Sequence, residues 1–541
     1  MARIAPARVL PVALLAVVAA GGVRAQQPPP LDTYRATAQV DVVNVEVLVT
    51  DREGKMVRDL TAADFEVLED GKPQTITNFV AGGRTAAAGL GEDAGSPPTE
   101  MLSVVVFVDN SNLAPAQRDD ALAQVRTLLQ GGWPGDGAQM MLASGYRTVR
   151  VVQPLTTDRQ RLLDGLEQLS REAAGAGANG VTGFVTQIME TGTTGGGSGG
   201  LAASSDFASR EREAQLGNAR AAAQEAYERS RSYLAAQSQF IDSLASVPGR
   251  KLVVYLSEGF NTRPGEAVLQ RFEAKYGGSA EAGFSATSEA TRYALGSEFR
   301  AFLQRANSSR VTFFCVPGTG RGGLGGGADQ RFIERDTTIG AGETMNQQQA
   351  LVSLADATGG AVLPHNDRIG QSLARAAEEV RDTYLLGYAN PSPDTGAYHA
   401  LKVRVKRDGV VVRHREGYLN KTPDERMAER ALAAVLTDTA SNPLDVSVSL
   451  RSATREKDAI FNAVILAIVP LGNVLLQPKG DVHEGQLSLW VALRNQEGTI
   501  TQADKQIFPI KVPNDRLLSA QGQSVGYTFG LKLREGEYRV A

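Results

Sequence analysis

Asp109 and Ser111 stand two residues apart at the end of the apolar run Val104-Val105-Val106-Phe107-Val108. An acid and a hydroxyl there offer hard oxygen atoms at the C-terminal edge of a strand, where open α/β sheets place their ligands. The same pair can instead serve the helix that follows, by accepting hydrogen bonds from its first backbone N–H groups. Spacing alone leaves both roles open. Other chemistries have less to work with. His365, His399, His414 and His483 are scattered, and two of them fall in predicted strands beside basic residues. No His-Glu-x-x-His, Cys-x-x-Cys or Gly-x-Ser-x-Gly occurs. Cys315 is the single cysteine and lies in an apolar stretch, which suits a buried thiol and excludes an internal disulfide. Gly318, Gly320 and Gly323 have dinucleotide-loop spacing, yet further glycines follow where a helix should begin, so a surface loop is the better reading. The expectation is a protein that is not an enzyme.

The elements around this pair read as an α/β unit. Residues 104–108 carry no polar break, as in a strand buried on both faces of a parallel sheet. Leu122, Val125, Leu128 and Leu129 then repeat on one helical face. A strand is predicted near 139–143 and an edge ribbon at 149–152. Thr157-Asp158-Arg159-Gln160 has capping-box character and opens a helix bearing Leu162, Leu163, Leu166 and Leu169. Residues 209–246 predict a long helix with a break at Gly217, leading to a second buried strand at 251–256 that ends in Ser257-Glu258-Gly259. Mainly helical sequence over 263–310 feeds a strand at 311–316, and helices are predicted to end at Thr358 and to run over 369–380. On either side lie β patterns. Val43, Val45, Val47 and Val49 alternate before the unit; Leu401, Val403 and Val405 alternate after it, ahead of a hairpin turn at Asp408-Gly409.

A buried strand ending in Asp-x-Ser and followed by an amphipathic helix resembles the first unit of a von Willebrand factor type A domain. Two passages, VTDREGKMVRDLTAADFEVLEDGKPQTITNF at 49–79 and YLLGY with HALKVRVKRDGVVVRHREGYL at 384–419, are similar to a secreted bacterial family related to these domains and first noticed in acidobacteria. The resemblance spans roughly residues 40–420. It implies a Rossmann-like α/β fold with a parallel-rich central sheet flanked by helices. It also implies a divalent cation, Mg²⁺ or Ca²⁺, held by Asp-x-Ser-x-Ser with a Thr and an Asp from later loops. Mapped here, the metal ligands are Asp109, Ser111, Thr182 and, in place of the Asp, Glu258; Leu113 stands where the family's motif has its second serine. In such a site a protein partner's acidic side chain completes the metal shell.

The flanking β patterns are too few on each side to form a core of their own. They predict one β-sandwich into which the α/β domain is inserted. At 541 residues the chain has room for two to four domains. The expected layout is a signal peptide at 1–25, a linker at 26–36, the first part of the sandwich at 37–82 and a linker at 83–99. The A-like domain follows at 100–382, the rest of the sandwich at 383–420, a helical connector at 421–440 and a β-sandwich-like domain at 441–541. The last ends on a strand-like stretch, as an incomplete chain would. Arg3 and Arg8 before an apolar run, with Val23-Arg24-Ala25 at its end, read as an export signal, so a periplasmic, secreted or surface-associated protein is expected. Removing Arg3, Arg8 and Arg24 takes the net charge from −4 to −7, which gives no reason to expect a nucleic-acid partner. No membrane span is expected after the leader: the apolar run at 461–476 holds Asn462, Pro470 and Asn473 and fits two strands around a turn. The expected function is adhesion or protein–protein interaction through the degenerate metal site. The alternative is a metal-independent scaffold outside the cytoplasm whose β-domains make the contacts.

Overall fold

The computed structural model describes residues 42–81, 102–113, 115–133, 138–172, 205–245, 247, 249–276, 284–317, 337–363, 369–390, 395–436, 442, 444–456, 459–502 and 505–541. Residues 1–25, expected as a leader, Thr182 and the glycine-rich residues 318–327 lie outside them.

The strands in chain order are β1 (Val42–Asp51), β2 (Phe65–Glu69), β3 (Lys72–Gln74), β4 (Asn78–Val80), β5 (Leu102–Asp109), β6 (Gln139–Tyr146), β7 (Thr148–Thr156), β8 (Arg250–Leu256), β9 (Val311–Val316), β10 (Ala361–Val362), β11 (Tyr384–Ala389), β12 (Tyr398–Val405), β13 (Val410–His414) and β14 (Gly417–Leu419). The helices are α1 (Pro115–Gln130), α2 (Arg159–Ser170), α3 (Ser205–Leu244), α4 (Glu266–Tyr276), α5 (Ala286–Ala290), α6 (Gly296–Ser308), α7 (Thr337–Thr358), α8 (Ile369–Arg381) and α9 (Pro423–Ala434).

A six-stranded sheet in the order β10-β9-β8-β5-β6-β7 forms the centre. Its neighbours are parallel except for β7, which returns antiparallel beside β6. Strand β5 is buried along its whole length because its two faces feed different cores. Val105 and Phe107 join α3, α6 and α7 residues such as Phe240, Phe302 and Leu354. Val104, Val106 and Val108 join α1, α2 and α8 through Val125, Leu166 and Leu373. Period-two alternation in one unbroken apolar run thus serves both layers. Helix α3 passes through Gly217 without a break. One glycine costs about 1 kcal/mol in a helix, and the flanking turns are anchored by Ala219 and Ala223, both packed on α4.

The strands before and after this unit pair with each other. β1 lies antiparallel between β11 and β13, and β2 lies antiparallel to β12. Two four-stranded sheets result, β13-β1-β11-β4 and β14-β12-β2-β3. Val45, Val47, Phe65, Val67, Tyr384, Leu386 and Val403 from both sheets share one apolar cluster. After α9 come three three-stranded antiparallel sheets made from segments of 447–540. They meet the α/β unit at β7, where the Val151 N–H donates to Gly498 O at 3.1 Å. Gly498 has φ +84, and a Cβ there would lie 2.2 Å from Val151 O, so only glycine permits this approach. Among the described residues no helix is long and apolar enough to cross a membrane.

Candidate functional site

Asp109 ends β5 with its side chain wholly buried. Its Oδ1 accepts hydrogen bonds from the Ser111 and Asn112 N–H groups, each at 3.2 Å, and from Tyr233 Oη at 2.8 Å. Its Oδ2 accepts from Asn112 Nδ2 at 3.0 Å, Tyr255 Oη at 2.9 Å and Ser257 Oγ at 2.7 Å. The donors come from three pieces of the fold, with Ser111 and Asn112 in the turn after β5. Tyr255 is on β8, paired opposite Phe107 of β5; Ser257 follows β8; Tyr233 reaches in from α3. Tyr233 fits because residue 145, opposite Asp109 on β6, is glycine: a Cβ there would lie 2.0 Å from the Tyr233 hydroxyl oxygen. Burial pushes the Asp109 carboxyl above its usual range, and the hydrogen bonds from Ser257, Asn112, Tyr233 and Tyr255 oppose that. Burial, followed by the charge of Asp109, pushes both tyrosine hydroxyls well above theirs.

The other residues expected at this site are distributed differently. The half-buried Ser111 turns its Oγ to the Arg147 N–H at 3.4 Å. Leu113 is 2% exposed and belongs to the core beneath α1 and α2, so the position that lacks a hydroxyl is filled by packing. Glu258 touches the loop through its backbone, its N–H donating to Asn112 O at 3.2 Å. Thr182 lies outside the described residues. The helix-capping alternative also takes a different form: Asp109 closes the turn at 110–112, ahead of α1, and does not cap the helix itself. Ser257, Tyr233, Tyr255 and Gly145 escaped sequence reasoning. Ser257 could have been found as the hydroxyl at the end of β8; one of two tyrosines in a long helix gives no such signal.

A Mg²⁺ or Ca²⁺ ion needs ligand oxygens with lone pairs still to give. A carboxylate has about four lone-pair sites, and six donors already converge on Asp109. This donor set does not fit a cation held through Asp109. Two exposed side chains crown the same edge: Tyr146 is 44% exposed, and the Arg147 guanidinium lies 5.7 Å from its ring centroid. Arg147 has φ +62, a left-handed conformation set by the tight β6–β7 turn.

The remaining chemistry-bearing side chains are occupied structurally or lie elsewhere. His414 Nε2 accepts the Val403 N–H at 3.1 Å, and its Nδ1 donates to Arg415 O at 2.7 Å. Burial pushes the Cys315 thiol far up, which suits packing and not nucleophilic attack. Among the described residues, ligand atoms of Glu69, Asp70 and His399 come within 4.8 Å of one another, on the β-sheets and away from Asp109.

No family model matches the chain, and no curated protein matches it. Similar solved structures include a von Willebrand factor type A protein from Catenulispora acidiphila, 13% identical over 67% of this chain and 75% of its own, at a TM-score of 0.26. The von Willebrand domain of the type V pili tip protein Mfa5 from Porphyromonas gingivalis is 11% identical over 53% and 95%, at 0.23. Proximal thread matrix protein 1 from the mussel byssus is 11% identical over 52% of this chain, at 0.21, and the chain spans 48% of its length. A second structure of the mussel protein is described as having a zinc-occupied MIDAS motif, at a TM-score of 0.16. Nothing about function follows from likenesses this distant.

Proposed function

We propose that this chain is an exported, non-enzymatic interaction protein that engages a protein partner at the C-terminal edge of its α/β sheet, without a cation at Asp109. The observation that carries the metal-independent reading is the closed shell of six hydrogen bonds around Asp109. The buried carboxylate acts as an internal hub that ties β5, β8 and α3 together and so fixes the loops above them. Tyr146 and Arg147 stand on that frame, and tyrosine and arginine are among the residues that carry most binding energy at interfaces. An acidic side chain of the partner, which a metal would otherwise receive, can be met by the Arg147 guanidinium. Export rests on the leader at 1–25. The paired β-sheets are, in this proposal, one sandwich that carries the inserted α/β domain; their shared apolar cluster supports it.

A photo-crosslinking residue at position 146, introduced in the producing organism, tests this. The proposal expects a discrete protein adduct from position 146 that Arg147→Glu abolishes. Adducts from Val448, 56% exposed on the C-terminal β-rich part, with none from 146, would transfer the contacts to the β-domains.

A further inference from the structure

We propose that Glu69, Asp70 and His399 form a binding site for one transition-metal dication of the Zn²⁺ type, on the β-sheets and separate from Asp109. Backbone register brings the three together. Glu69 ends β2 opposite Leu401 of β12, so the next residue on each strand is adjacent to its counterpart. The Asp70 N–H donates to Ala400 O at 2.9 Å, and the Ala400 N–H donates to Asp70 Oδ1 at 2.9 Å. That leaves Asp70 Oδ2 facing His399 Nδ1 at 2.8 Å, with Glu69 Oε1 3.5 Å from the same nitrogen. A tetrahedral ion with bonds of about 2.0–2.1 Å places neighbouring ligand atoms about 3.3 Å apart. The two spacings to Nδ1 bracket that value, and all three ligand atoms lie within 4.8 Å of one another.

Glu69 supplies the second, independent observation. Its side chain is 4% exposed, and its Oε2 accepts hydrogen bonds from both Tyr388 Oη and Tyr418 Oη. Its Oε1 takes neither of these bonds and lies 3.5 Å from His399 Nδ1. A carboxylate on so buried a side chain calls for a positive partner, which the imidazole edge and a bound dication can both supply. The Tyr418 ring also stacks on His399 at 5.4 Å, fixing the plane of the imidazole. Outer partners of this kind orient the ligands of natural metal sites. The other ring nitrogen, Nε2, is buried without a partner, so the polar contacts of the ring all face the two carboxylates. Asp70 is 48% exposed and opens the site to solvent, leaving room for water as a fourth ligand.

One imidazole nitrogen with two carboxylate oxygens favours Zn²⁺ over Ca²⁺, which takes six to eight oxygens, and over Mg²⁺, which keeps an octahedral and largely hydrated shell. On binding, Nδ1 ligates through its lone pair, the ring hydrogen resides on Nε2, and the two carboxylates balance the dication. The ion would clip the turn after β2 to β12, joining sequence from before the α/β unit to sequence from after it.

Calorimetric titration of the metal-free chain with Zn²⁺ tests the site. The expected result is one ion per chain, bound at least about tenfold more weakly by both Asp70→Asn and His399→Ala. Asp70→Asn keeps the result interpretable should the histidine variant unfold, because asparagine tolerates the left-handed φ of +49 at position 70. Absence of stoichiometric Zn²⁺ binding, or binding that Asp70→Asn leaves unchanged, overturns the proposal. So does binding that Asp109→Asn abolishes and Asp70→Asn retains, which would place the ion at the end of β5.

Discussion

Asp109 shows how a residue type suited to a metal can be used in another way. A buried carboxylate is stable only where its charge is met, and here two tyrosines, a serine, an asparagine and two backbone N–H groups meet it. Asp109→Ala strands those donors in the core, and the expected cost is about 3–5 kcal/mol, measured as a fall in urea-unfolding free energy in EDTA. A cost below about 1 kcal/mol would mean that the shell contributes little. The signal for an acid and a hydroxyl at a strand edge was plain in Asp109 and Ser111. What occupies the acid was not legible, because Tyr233 lies 124 residues away on α3. It reaches Asp109 only through the space left at Gly145.

At the scale of elements, β5, β8 and β9 were readable because an unbroken apolar run has few alternatives to a buried strand. The strand at 139–143 extends to Tyr146, and the edge ribbon at 149–152 to 148–156, because pairing between neighbours lengthens what hydropathy alone marks. The link between the α/β unit and β1 was not readable, since it depends on charges far apart in sequence. Arg310, just before β9, pairs with Glu46 on β1, while the buried Arg415 donates to Asn307 O at 2.9 Å and Asn44 O at 2.6 Å. Burial alone would raise the Glu46 carboxyl, but Arg310 and Arg415 outweigh it and hold the group down at about 2. The unfolded chain therefore takes up the Glu46 proton first as pH falls. The stabilisation is complete above the ordinary carboxylate range, near 4.3, and is lost as pH approaches 2. Glu46→Gln is expected to cost about 2–3 kcal/mol at pH 7, with the gap to wild type closing between pH 4 and 2 in unfolding titrations. A gap independent of pH would remove the ion pair from the account.

Across the whole molecule, the order of elements carries the organisation. The strands of 42–80 find their partners at 384–419, more than 300 residues later, with the α/β unit between them. The alternation of valines shows that those strands exist; only the registers show which strand meets which. The turn at Gly498 in the C-terminal sheets meets the edge strand β7 by accepting the Val151 N–H. In this arrangement the frame beneath Tyr146 and Arg147 is held by protein hydrogen bonds and needs no ion. Thermal unfolding of the chain without residues 1–25, in EDTA and then in millimolar Mg²⁺ or Ca²⁺, tests that claim most directly. No shift in the transition is expected with either ion. A shift equivalent to roughly 2.7 kcal/mol, as expected for a native-state ligand at about 100 times its Kd, and absent in Asp109→Ala, would contradict it.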